Sequence, residues 1–157
     1  MDKELQQLSD LEERFAYMFA SPNLGLDIYR GWLPDFIDAC EQIDVVLGGD
    51  KRGFHWRQIK EKYGFARYYF RTDSVHPMRL SISDGKGVYE ITKGLDGHEI
   101  EQQIAQICSN AEQASLTKCI VCGDTAAIKT YAGWAVCACE KHSPDVPGDH
   151  MKKAALK

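Results

Sequence analysis

Two short metal-ligand pairs near the C-terminal end restrict what this chain can fold into more than any other part of it. The segment runs Cys119-Ile-Val-Cys122-Gly123, then fifteen residues that include Gly133 and Trp134, then Cys139-Glu-Lys-His142. Two cysteines at CxxC spacing can aim both sulfurs at one point from a tight turn. A glycine just after the second supplies the positive φ that such a knuckle needs. The CxxH half offers the same bite with one sulfur and one imidazole. Together Cys119, Cys122, Cys139 and His142 make a Cys₃His set, a closed tetrahedral site suited to structural Zn²⁺.

Other uses of the cysteines fit less well. The chain has six of them, an even number, but its N-terminus is charged and acidic rather than leader-like, so the expected compartment is a reducing cytoplasm and not one that favours disulfides. A redox CxxC belongs at a strand-to-helix junction, which Leu116-Thr117-Lys118 does not announce. Catalytic zinc keeps an open position, whereas four good ligands stand here with Cys137 as a fifth. Neither the HxE nor the PCxxC of zinc deaminases occurs. Cys137 and Cys139 lie two apart and would share a strand face, so either could ligate. The shorter knuckle spacing favours Cys139 and leaves Cys137 as a buried neighbour.

Length and composition fit one α+β body with a small appendage: 157 residues, 44% apolar and 27% charged, with no apolar run long enough for a membrane span. The net charge of −4 hides an uneven distribution. Residues 1–50 carry −8, 51–71 carry +6, 72–117 carry −4 and 118–157 carry +2. An acidic body with one basic, aromatic-rich belt results.

The apolar periodicity predicts three main helices, at about 2–20, 34–47 and 97–115, with Pro34 in a first turn and Gly48-Gly49-Asp50 as a stop. Trp56, Ile59 and Tyr63 recur at helical spacing up to Gly64, whereas 65–71 reads as a strand. Strands at about 78–83 and 87–92 flank Asp84-Gly85-Lys86, a hairpin signal, and with 65–71 they would form a three-stranded antiparallel sheet. His76 precedes a proline in an expected loop. Residues 1–116 thus form the body, 117–143 a zinc knuckle packed on it, and 144–157 a tail whose end, Met151 to Lys157, could make a last basic turn of helix.

Two surfaces are candidates for partners. The acidic side of the first helix, with Glu4, Asp10 and Glu13, could meet a basic groove on a protein or ribonucleoprotein. The belt, with Arg57, Lys60, Lys62, Arg67 and Arg71 among rings, could bind a nucleic-acid backbone and stack bases, or could be a surface strand with rings inward and arginines outward. His55, Glu61, His98 and Glu99 sit in no recognised catalytic motif, so a binding role is expected rather than an enzyme.

The run Gln58-Ile59-Lys60-Glu61-Lys62-Tyr63-Gly64, then Ala66-Arg67-Tyr68-Tyr69, preceded by Gly31-Trp32 and an acidic helix, resembles a widespread set of small proteins from phages, prophages and mobile elements. Those proteins end in a similar CxxCG, Gly-Trp, CxxH knuckle, here Cys119, Cys122, Gly123, Gly133, Trp134, Cys139 and His142. The likeness covers roughly residues 31–71 and 97–142, and the hairpin at 78–92 looks like an insertion. A compact acidic protein of this origin is similar in kind to anti-CRISPR inhibitors. That resemblance implies a cytoplasmic role in a bacterial host: binding a type I CRISPR-Cas surveillance complex and blocking target DNA binding or nuclease recruitment.

Overall fold

Aromatic rings that must leave water set the architecture. Phe36 stacks on Tyr68 at 5.7 Å between centroids and lies 5.4 Å from Trp56, while Phe54 meets Trp56 at 5.2 Å and Phe70 at 5.6 Å. A helix, two strands and, at Phe54, the residue leading into one of them contribute these rings, so the core is a helix packed on a small sheet. The structure, a computed structural model, describes residues 2–22, 25–73, 78–93, 98–143 and 155–156.

Helix α1 spans Lys3–Arg14, capped by the Asp2 carboxylate, which accepts from the Glu4 amide at 3.1 Å. The expected single helix over 2–20 is broken at Phe15, which leaves helical geometry at φ −121°, ψ 44° before the short helix α2, Ala16–Phe19. With this break Leu11, Phe15 and Met18 are all buried. Two short strands follow, β1 at Gly25–Leu26 and β2 at Ile28–Tyr29, then a 3₁₀ turn at Arg30–Trp32. Helix α3, Leu33–Leu47, accepts Pro34 in its first turn and ends at Gly48, whose φ is 66°.

The helical spacing of Trp56, Ile59 and Tyr63 does not produce a helix. Strand β3 runs His55–Lys62 and turns back at Tyr63 and Gly64, both at positive φ, into β4, Phe65–Arg71. The register shifts between Trp56 and Gln58. That bulge absorbs one residue, so Trp56 and Ile59 both point inward although three positions apart. The partner expected for 65–71 also differs. Strand β4 pairs antiparallel with β3, whose other edge pairs parallel with β1, giving the order β1-β3-β4. Strands β5, Met78–Ser83, and β6, Val88–Lys93, form a separate two-stranded sheet.

Helix α4, Glu99–Ser115, packs against α3 and along the free edge of β4. Its side chains finish that edge: the Ala66 amide donates to Ser115 Oγ at 2.8 Å and the Tyr68 amide to Glu112 Oε1 at 2.9 Å. A hairpin of β7, Ala127–Tyr131, and β8, Trp134–Ala138, follows. Ala155–Leu156 forms β9, antiparallel to β2, where a turn of helix was expected. The fold is α+β, as the sequence predicts. His76, the start of the third helix at 97 and most of the tail lie outside the described residues. Among those described, no helix is long and apolar enough to cross a membrane.

The C-terminal knuckle docks on the turn before α3. The Gly31 amide donates to Ile120 O at 2.9 Å and the buried Trp32 indole N–H to Lys118 O at 3.0 Å, while Lys118 Nζ bonds both Asp35 carboxylate oxygens at 2.7 and 2.8 Å. A Cβ on Gly31 would sit 1.8 Å from the Cys119 carbonyl oxygen and 2.8 Å from Gly123 N. Backbone touches backbone there, and only glycine fits. Gly31→Ala is expected to cost about 3 kcal/mol or more in a denaturant melt, whereas Gly49→Ala, where a Cβ meets open space, should leave the midpoint nearly unchanged.

Candidate metal centre

Each half of the Cys/His set is shaped by its own turn. Lys118 and Thr125 form a bridge across the first turn, within which the Cys119 amide donates to Asp124 O at 2.7 Å and the Gly123 amide to Cys119 O at 2.8 Å. Gly123 takes φ 80°, the conformation expected after the second cysteine. The second turn starts where β8 ends. Cys139 leads into a 3₁₀ turn over Glu140–His142, and the His142 amide donates back to Cys139 O at 3.0 Å. Between them, the β7–β8 hairpin reverses at Ala132 and Gly133, both at positive φ, and carries the second turn back beside the first.

The four side chains converge. All their donor atoms lie within 4.8 Å of one another. Cys122 Sγ is 3.8 Å from Cys139 Sγ, and His142 Nδ1 is 3.7 Å from Cys119 Sγ and 3.2 Å from Cys139 Sγ. Thiolates bound at about 2.3 Å to a tetrahedral ion lie about 3.8 Å apart, and a thiolate and an imidazole nitrogen about 3.6 Å. A disulfide would need sulfurs near 2.05 Å, and all six cysteines are free. The geometry therefore suits a metal ion. His142 faces the cluster with Nδ1, which leaves Nε2 to carry the ring proton when Nδ1 ligates.

The structure separates Cys139 from Cys137. Cys137 lies on β8, buried, with its thiol donating to Leu116 O at 3.5 Å. Cys139 stands just past the end of the strand with its backbone still extended, and its thiol, not that of Cys137, joins the cluster. Burial pushes the Cys137 thiol up to about 11. Cys119 is different: burial raises it, but backbone N–H groups of Cys139, Cys122 and Val121 outweigh that and bring it down to about 7. Burial, with Cys119 and Cys139 beside it, pushes Cys122 up to about 12. A divalent cation amid these sulfurs would favour the thiolate at each.

The other sequence candidates are scattered. Glu4 pairs with Arg30 at 3.3 Å, Asp10 accepts from Gln6 Nε2 at 2.6 Å, and Glu13 is exposed. Arg57 sits at the bulge. Lys60, Lys62 and Arg67 share the outward face of the β3–β4 sheet with Tyr69, Phe65 and Arg71, since Lys60 opposes Arg67, Lys62 opposes Phe65 and Gln58 opposes Tyr69. Lys60 Nζ lies 5.3 Å from the Tyr69 ring centre, and the Arg67 guanidinium lies 5.5 Å from Phe65 and 5.9 Å from Tyr69. Glu61 Oε1 accepts the Gly64 amide at 2.5 Å, His55 bonds Gly53 O through Nδ1 at 2.9 Å, and His98 is buried just before α4, where Glu99 is exposed. Sequence reasoning assigned no role to Gly31 and Trp32, although the pair stood out; their function is to seat the first knuckle.

Purified protein should carry one metal ion per chain by elemental analysis. Cys122→Ser or His142→Ala should lose it, and Cys137→Ala should retain it. Comparisons with protein-family models, curated proteins and solved structures returned no match, so this Cys₃His geometry stands on its own donors and distances.

Proposed function

We propose that this chain is a binding protein in which Cys119, Cys122, Cys139 and His142 hold a structural Zn²⁺, and that the outward face of the β3–β4 sheet grips a single-stranded nucleic acid. The observation that carries the reading is the free charge on that face. Four of the protein's acids, Asp2, Glu41, Asp44 and Asp35, are matched to Arg30, Arg14, Lys51 and Lys118, with Glu4 also on Arg30. Among the described residues, Arg57, Lys60, Lys62 and Arg71 have no carboxylate within ion-pair distance, and Arg67 reaches Glu112 only at 3.8 Å. Exposed Tyr69 and Tyr63 stand among these cations. Cations that track a backbone and rings on which bases stack are the two components of single-strand recognition. Four donors saturate a tetrahedral zinc and leave no position for substrate, which supports a structural ion.

A second reading follows from helix α1. Asp10, Glu12 and Glu13 are exposed and form no ion pair among the described residues, which supports contact with a basic groove of a host defence complex, a CRISPR-Cas surveillance complex among them. Charge reversal at Glu12 and Glu13 should then abolish capture of a reconstituted complex, whereas capture by the reversed protein would remove this reading.

The nucleic-acid reading is tested by fluorescence anisotropy with single-stranded and duplex oligonucleotides over a salt series. Contact of four cations with phosphates predicts a log–log slope of about −3 on single strands. Lys60→Glu with Lys62→Glu should weaken binding at least about tenfold and flatten the slope by roughly 1.4. If neither probe binds at low salt, the belt is only a solvated surface.

A further inference from the structure

The β5–β6 hairpin is built unlike every other element of the fold. Among the described residues it contributes no side chain to the core, and its substantial packing is one strand against the other. Its cross-strand pairs put Leu80 opposite Ile91 and Ile82 opposite Tyr89 on one face. These four side chains are 53%, 58%, 69% and 59% exposed. The tip is well made: the Asp84 carboxylate accepts the Lys86 amide at 2.8 Å and the Gly87 amide at 3.1 Å. A hairpin of two strands with one apolar face and no layer against it is marginal in water.

We infer that this face is a homodimer interface, in which the hairpins of two copies stack apolar face on apolar face about a twofold axis. A twofold contact needs a self-complementary patch, and two rows of apolar side chains, with strands that can cross in register, provide one. Charge permits it. Residues 78–93 hold three basic groups, Arg79, Lys86 and Lys93, against two acids, Asp84 and Glu90, so two copies meet without the repulsion that an acidic or basic patch would bring. The same neutrality disfavours a strongly charged partner. The area is adequate for a weak contact: at roughly 120 Å² for each of the four side chains, two copies remove at most about 1,000 Å² from water. That is the low end of specific interfaces, so a reversible dimer with a micromolar Kd is expected. Stacking is preferred to edge-to-edge pairing because the latter leaves the apolar face wet. Face-to-face contact converts the lone hairpin into a small two-layer sandwich.

The test is sedimentation equilibrium on the full chain with its metal, over concentrations spanning the micromolar range, beside the variants Ile82→Glu and Ile91→Glu. Both positions face solvent in the single chain, so the variants should fold, with wild-type melting midpoints and metal content. Wild-type protein is expected to move from monomer to dimer with concentration, and each variant to dissociate at least tenfold more readily. A wild-type chain that stays monomeric throughout overturns the inference. So does a dimer that both variants preserve, because the contact then lies elsewhere. A monomer that floats with neutral phosphatidylcholine vesicles, and loses that property with Ile82→Glu, also overturns it and assigns the face to a lipid surface.

Discussion

A glycine backbone pressed against a cysteine carbonyl joins the two parts of this molecule. Gly31 lies in the turn that opens α3, so its position is fixed by the aromatic core on which α3 sits; Cys119 begins the knuckle. Because the contact is backbone on backbone, it leaves no slack for side-chain adjustment. The Trp32 indole and the Lys118–Asp35 pair hold the same joint from either side. Partly exposed, that ion pair adds little more than about 1 kcal/mol, and steric fit together with the buried indole sets the position. The Cys/His side chains are thus oriented from the body as well as from their own turns.

The Cys/His set was legible because its information is local. CxxCG and CxxH specify two turns by spacing alone, and the hairpin between them needs only Gly133 and a preceding residue that tolerates positive φ. Helices α3 and α4 were legible for a related reason: Phe36, Cys40, Ile43 and Leu47 on one, and Ile104, Cys108 and Ala111 on the other, repeat with the helical period and are buried. Strand β3 was not, because a bulge at Arg57 turned a two-residue period into an apparent three-residue one. The break at Phe15 and the tail strand Ala155–Leu156 depend on distant surfaces that no local pattern encodes. Strand partners failed for the same cause. An alternating run states that one face is apolar but not which surface covers it.

Charge was legible in sum but not in use. The −8 of residues 1–50 suggested an acidic surface, yet five of its acids, Asp2, Glu4, Asp35, Glu41 and Asp44, pair with the fold's own cations: Arg30 holds Asp2 well below the usual carboxylate range, and Lys51, then the Tyr17 hydroxyl, lower Asp44. These pairs tie α1 to the turn before α3 and α3 to the start of the sheet. The belt's cations behave otherwise. Their strand positions alternate with Trp56, Ile59, Ala66 and Tyr68, so burying the rings forces the charges outward. The basic face is a consequence of the aromatic core, whatever partner it meets.

The Cys/His turns have less apolar support than the aromatic core. Ile120, Val136 and Ala138 reach the main core, but β7 is largely exposed, with only Ile128 and Tyr131 half-buried. So small an apolar area cannot order residues 119–142 against their chain entropy. A metal ion held by the Cys/His set would, together with the Gly31 joint, supply the difference, as in other small metal-held modules. The rings of Phe36, Phe54, Trp56 and Tyr68 pack on one another, and Ile120, Val136 and Ala138 join the same buried cluster while Ile128 lies against Gly64 of the β3–β4 turn. The basic face is therefore set by α3 and the sheet, but the hairpin between the Cys/His turns rests on the same core, so loosening those turns would also be felt at the β3–β4 turn.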